Sequence, residues 1–376
     1  MATITAQKNH LDLFNEKDKS IPHLFHALDA ARGIAALIVV LYHLPVSFRG
    51  SFFGSGDLAV DFFFALSGFV LAHAYLGRLI SGRMSFRNFI IARLIRLYPL
   101  YALSLMLTII ILIGMNILGL SLPWTRVALV AKLPFAALML PSPSLDWHAY
   151  LFPFTIAAWS IFLELAINLV FAVICKWLCN PKTRLPLILI SGVMLAVQLM
   201  VQNVLGGSSW NTLMAGLPRV CFSFFLGVHI YETLARRSAP KVPNNGYITA
   251  AMLSLLLITI CAPENLPLKI AAIFLLFPLI LTVLAQSEIP KGRAGSVILK
   301  LGSLSYAIYI MHGPVLFAWL YLYLTPETLA KMPAPIVIPI VISVILVSWA
   351  AERFIDTPLR QWINLHLKMP KRPAIN

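Results

Sequence analysis

Ten apolar runs of 16 to 24 residues divide the chain, at about 27–47, 58–77, 99–119, 153–176, 186–205, 217–235, 247–262, 267–285, 302–324 and 335–352. At about 1.5 Å of helix per residue, runs of this length match the hydrocarbon core of a bilayer. A backbone surrounded by lipid must satisfy its own hydrogen bonds, which leaves helices or closed barrels, and apolar runs this long are helical. The expected fold is all-α: a polytopic membrane protein of about ten transmembrane helices. Only 11% of the residues are charged, against about 25% in soluble domains.

Orientation follows from the basic residues. With the N-terminus inside, 23 of the 29 Lys and Arg fall on the cytoplasmic side and 6 on the other. That asymmetry predicts both termini in the cytoplasm. The net charge of +15 is then a property of cytoplasmic loops, and no nucleic-acid partner is expected. Residues 1–26 carry charges of both signs and no apolar core of a signal peptide, so they are expected to be a cytoplasmic tail. A membrane domain over 27–360 and a C-terminal tail over 361–376 complete the expected organisation.

Residues 127–141, VALVAKLPFAALMLP, are apolar but short and contain Lys132 and Pro134. Counting them as a span would turn every later basic loop outward, so they are expected to be interfacial or re-entrant on the outer side. Asp146, Trp147 and His148 would then cover an outward-facing mouth. The four cysteines lie in or beside apolar runs without metal-ligand companions, which points to core packing and to no metal site.

Polar groups inside such runs are costly and mark function by default. Arg32 and His43 are eleven residues apart in LDAARGIAALIVVLYHL, nearly on one helix face and separated by roughly 16 Å along the axis. The alternative is an edge anchor and a hydrogen-bonded outer residue. Asp57 suits an N-cap, whereas Asp61 is placed either to fix the tautomer of His43 or to serve helix packing. Ser67 and Gly68 suit close helix contact.

Arg93 and Arg96 share a helix face at i, i+3, which allows a forked grip on phosphates or an anchor to anionic lipid. Ser160 and Glu164 are one turn apart in the fourth run, and a carboxylate that deep calls for an imidazole or an arginine from another helix. In the ninth run Ser305, Tyr309 and His312 lie along one face, where Tyr309 and His312, with Ser160, would line a polar path or support the reacting group. His73, His229 and His366 read as peripheral. No P-loop or nucleophile elbow occurs, so proton transfer by a buried histidine is the chemistry these residues leave open.

Five stretches in order, LDAARGIAALIVVLYH with its R-x10-H spacing, AVDFFFALSGFVLAHAY, ARLIRLYPLY with R-x-x-R, WSIFLELAI and LGSLSYAIYIMH, resemble the membrane-bound acyltransferase 3 family from Leu28 to Arg360. The resemblance implies O-acylation, most often O-acetylation, of an extracytoplasmic glycan or lipid-linked sugar at a bacterial inner membrane. The donor would be cytoplasmic acyl-CoA, commonly acetyl-CoA, as a substrate with no bound cofactor. Membrane lipid is the remaining partner. By that resemblance His43, Glu164 and Asp61 are catalytic candidates, with His43 as general base, and Arg32, Arg93 and Arg96 are donor-binding. The SGNH domain fused to many relatives is not expected here. The competing expectation is a transporter or flippase whose polar groups line a solute path.

Overall fold

The computed structural model describes residues 25–46, 51–120, 123, 125–146, 148–237, 246–289, 292–320 and 334–367. Most of both expected tails, and Trp147, lie outside them. Within the described residues the chain is helical and contains no strand beyond one isolated bridge, Tyr150 with Ser209. The helices are α1 (His26–Tyr42), α2 (Leu58–Leu71), α3 (Phe86–Ile117), α4 (Arg126–Ala137), α5 (Ala158–Leu178), α6 (Pro181–Gln202) and α7 (Leu213–Arg237), followed by α8 (Gly246–Cys261). Then come α9 (Leu266–Ala271, continued over Phe277–Leu284), α10 (Arg293–Ala318) and α11 (Val337–Ala350, continued over Thr357–His366).

Each expected apolar run contains one helix in its described residues, residues 321–324 of the ninth run lying outside them, and eight described helices are long and apolar enough to cross a membrane. Helices α1 and α8 are shorter, at 17 and 16 residues. Side chains such as Ile113, Val173, Ile190, Val193 and Leu346 are more than half exposed on the outside of the bundle. Lipid makes such a surface stable. The chain is a multi-pass integral membrane protein.

Two crossings set the interior. On α1 and α10, a Cβ at Gly33 would come within 2.9 Å of the Gly302 nitrogen, and one at Gly302 within 2.5 Å of the Asp29 carbonyl oxygen. On α2 and α7, a Cβ at Gly68 or Gly227 would meet the backbone oxygen of Phe224 or Ala65 at 1.9 Å. Bare backbone at these positions lets the helices touch, the packing mode that membrane helices use in place of a hydrophobic drive.

Helix α4 packs against the distal half of α3, its Leu129 and Leu133 meeting Leu105, Leu112 and Met115. The Tyr101 hydroxyl donates to the Ala136 carbonyl at 2.5 Å and the Tyr98 hydroxyl to that of Ala137 at 2.6 Å. The following residues turn back into the bundle, where Leu151, Phe152 and Phe154 are buried. Tyr101→Phe is expected to cost about 1 kcal/mol, the usual worth of one hydrogen bond, seen as a lower melting temperature. An unchanged melt would mean that apolar contact alone holds α4.

Turns of π-helix interrupt helices at Ala72–Leu76, Ala272–Leu276 and Ala351–Asp356. The last carries α11 beyond residue 352, where the apolar run was expected to stop, to His366. Asp356 pairs there with Arg360, one turn on, so the helix continues although its sequence becomes polar.

Candidate active site

The α1–α10 crossing places Arg32 against the start of the SLSY segment. Its Nε donates to the Ser305 hydroxyl at 2.6 Å and its Nη2 to the Gly302 carbonyl at 3.1 Å, with Asp29 at 2.9 Å as counter-ion. Across the interior, α3 presents Arg93 and Arg96 from one face, as their spacing predicts. Arg93 donates to Glu164 on α5 at 3.1 Å, and Ser67 on α2 donates to the same oxygen at 2.7 Å. The cationic partner expected for Glu164 is therefore Arg93. The Arg96 guanidinium lies over the Tyr306 ring at 5.4 Å, a cation–π contact that keeps it in the interior.

These arginines stand where two cavities meet. The outer one, about 600 Å³, opens at the end of the bundle where α1, α3 and α10 begin and α2 and α11 finish. The inner one, about 160 Å³, runs between α2, α3, α5 and α10. Arg32, Arg93 and Arg96 line both, and the inner cavity continues past Glu164 to Ser160 and Tyr309. Lys300, Glu352 and Arg360 join the outer wall. They lie at the ends of the ninth and tenth runs, on the side the basic bias calls cytoplasmic, and could be found only as part of that bias. His73, read as peripheral, also lines the outer cavity, beside the π-turn at Ala72–Leu76. The π-turns at Ala72–Leu76 and Ala351–Asp356 thus border this mouth, a placement common at functional sites.

At its far end the site is a row of rings. Ser160 and Tyr309 share a hydrogen bond of 2.5 Å. The Tyr309 ring is 6.0 Å from that of His312, which is 4.9 Å from that of His43. Both imidazoles place Nδ1 against a backbone carbonyl, His43 at Val39 (2.8 Å) and His312 at Tyr309 (2.6 Å). A ring that donates from Nδ1 keeps Nε2 as the basic atom. His312 is fully buried and its Nε2 has no hydrogen-bond partner. His43 lines neither cavity. The wall that the inner cavity reaches is Tyr309, and two ring contacts lead from there to His43.

Of the two places expected for Asp61, beside His43 or in helix packing, the contacts are of the second kind: it accepts from Arg219 on α7, Nε at 2.9 Å and Nη2 at 2.8 Å. The guanidinium fork satisfies both carboxylate oxygens at once, an arrangement an imidazole cannot match. Arg219 is 1% exposed and lies 5.4 Å over the Trp159 ring. In the sequence it reads as one of the few outer-side cations, and nothing there marks it as buried. Asp57, just ahead of α2, has its carboxyl pushed up to about 6 by burial, with Arg219 and Lys269 opposing. A second buried pair, Arg184 with Glu232 at 3.4 Å, joins α6 to α7, and His229 accepts from Arg184 at 3.2 Å.

A family model described as an acyltransferase domain, that of acyltransferase 3, matches residues 25–353. The chain is 44% identical over 162 residues to protein 2 in the picA locus of Rhizobium radiobacter, covering 41% of this chain and 84% of that protein. It is 25% identical over 374 residues to the peptidoglycan O-acetyltransferase OatA of Listeria monocytogenes serovar 1/2a, covering 89% of this chain and 56% of that enzyme. The chain therefore spans little more than half the length of the Listeria protein. No solved structure matches.

Proposed function

The chain belongs to the acyltransferase 3 family, and from that membership we propose that it moves an acyl group from cytoplasmic acyl-CoA to a hydroxyl of an extracytoplasmic glycan or lipid-linked sugar, at the inner membrane of a bacterium. The observation that carries this reading is the pair of joined cavities with three arginines at their junction and a histidine pair beyond their closed end. The wide outer cavity suits a nucleotide, and the basic junction suits its phosphates through charge-assisted hydrogen bonds. The narrow inner cavity suits the slim thioester arm. The name of the Listeria relative supports acetyl as the acyl group and a cell-wall glycan as acceptor.

In this reading His43 is the general base. Its Nε2 takes the proton of the acceptor hydroxyl as that oxygen attacks the thioester carbonyl. The C–S bond breaks, the new ester C–O bond remains, and the departing thiolate recovers the proton from the imidazolium. His312, packed on His43, holds the ring in place. For the carbonyl to reach His43, the Tyr309 side chain must turn from the end of the cavity. Glu164 neutralises Arg93 when no donor is bound and yields it to phosphate when one is.

The test is acceptor-dependent CoA release by the purified protein in lipid nanodiscs, since a transporter releases no CoA. Arg93→Gln with Arg96→Gln is expected to raise KM for acetyl-CoA by about tenfold or more, as charged hydrogen bonds are worth about 1.5–3 kcal/mol each. An unchanged KM would assign these arginines to anchoring lipid.

A further inference from the structure

Beyond the three arginines the inner cavity changes character. Its walls become Val60, Phe63, Phe64, Leu97 and Ile161, and from Leu71 to Val60 it follows α2 over eleven residues, roughly 16 Å of helix. It then stops at two polar side chains. Ser160 is 4% exposed and Tyr309 7%, and their hydroxyls are bound to each other at 2.5 Å. Phe63 meets the Tyr309 ring edge-on at 5.3 Å, and the His312 ring is 6.0 Å from it. Pushing this pair deeper would strand two hydroxyls among apolar groups and displace a packed aromatic ring, both of which resist.

We propose that the Ser160–Tyr309 pair, braced by Phe63, is the floor that measures the acyl chain and restricts the enzyme to the shortest thioesters. The inference rests on the acyl-CoA reading above and adds to it the residues that choose among acyl groups. A two-carbon acyl group ends in the space before the floor. Each further methylene must enter the hydroxyl pair or the Phe63 ring. The floor acts while the donor binds, with the hydroxyl pair closed, and the Tyr309 turn that opens the way to His43 follows only for an acyl group that has ended before it.

One methylene in a shaped apolar pocket discriminates by roughly 10–200-fold. The full-length protein in nanodiscs is therefore expected to show kcat/KM for acetyl-CoA at least about tenfold above propionyl-CoA, with butyryl-CoA and hexanoyl-CoA lower still. Ser160→Ala and Phe63→Leu, which each open space at the floor, are expected to raise the propionyl-to-acetyl ratio by about tenfold. Ser160→Ala removes a single atom from the first turn of α5 and carries the test if Phe63→Leu does not fold. Equal use of acetyl- and hexanoyl-CoA by the unaltered protein overturns the floor. So does a selectivity that neither variant moves. CoA release from none of the four thioesters overturns the donor assignment itself, a result distinct from release without selectivity.

Discussion

His43→Ala is expected to lower acyl transfer by about 10²- to 10⁴-fold, the contribution general acid–base catalysis typically makes. The loss should fall on kcat and kcat/KM together, with KM for acyl-CoA little changed, because the donor is held at Arg32, Arg93 and Arg96 and not at the imidazole. The fold should survive. His43 closes the end of α1, where its side chain is bonded to the Val39 carbonyl of the same helix, and removing a hydrogen bond of that kind costs about 1 kcal/mol. A melting curve close to that of the unaltered protein separates lost chemistry from lost structure. His312→Ala serves as the comparison. It removes a fully buried ring packed on His43 and should lower activity less, since the base remains although its orientation is no longer held. Full activity in the His43 variant would remove the mechanism, and equal losses in both would mean that the two rings act as one proton acceptor.

The architecture was readable along one dimension because lipid imposes a length and a polarity on every crossing segment. Ten runs gave ten helices, and the peripheral helix at 126–137 was marked by its short length and its internal Lys132 and Pro134. The arginine face of α3 was readable too, since i, i+3 spacing is a property of the helix itself. Glu164 announced a cation because a carboxylate at that depth must have one, but the sequence did not say which. The same blindness left Asp61 undecided between His43 and helix packing. Its partner is 158 residues away, and local order carries no record of which helices lie side by side. What decides the matter is the α2–α7 contact, itself set by Gly68 and Gly227. Glu352 and Arg360 were hidden for another reason. A rise in polarity after residue 352 reads as the end of a helix, whereas pairing within the helix lets α11 run on to the outer cavity.

The Asp61–Arg219 pair separates a structural role from a catalytic one more sharply than any other residues here. Arg219 makes four hydrogen bonds, two to Asp61, one to the Asp57 carbonyl at 2.7 Å and one to the Gly206 carbonyl at 3.2 Å. Both side chains are almost completely buried, at 1% and 0% exposure. Breaking such a pair from one side leaves an uncompensated charge in the interior, at a cost of about 3–5 kcal/mol. Arg219→Met alone and Asp61→Asn alone should each destabilise the protein by about that much in reversible unfolding from mixed micelles. The double variant leaves no unpaired charge and should recover most of the loss, so the two changes should couple by more than the cost of either one alone, about 3–5 kcal/mol. Its activity then assigns the carboxylate. If Asp61 only ties α2 to α7, the double variant transfers acyl groups within about tenfold of the unaltered protein, since the arginine junction and the histidine pair are untouched, and a ΔΔG‡ below about 1.4 kcal/mol is all that remains to lose. If Asp61 takes part in proton transfer, the double variant is stable and inactive. An Arg219→Met protein as stable as the original would show that the buried ion pair contributes nothing to the α2–α7 contact, which would then rest on the glycine crossing alone.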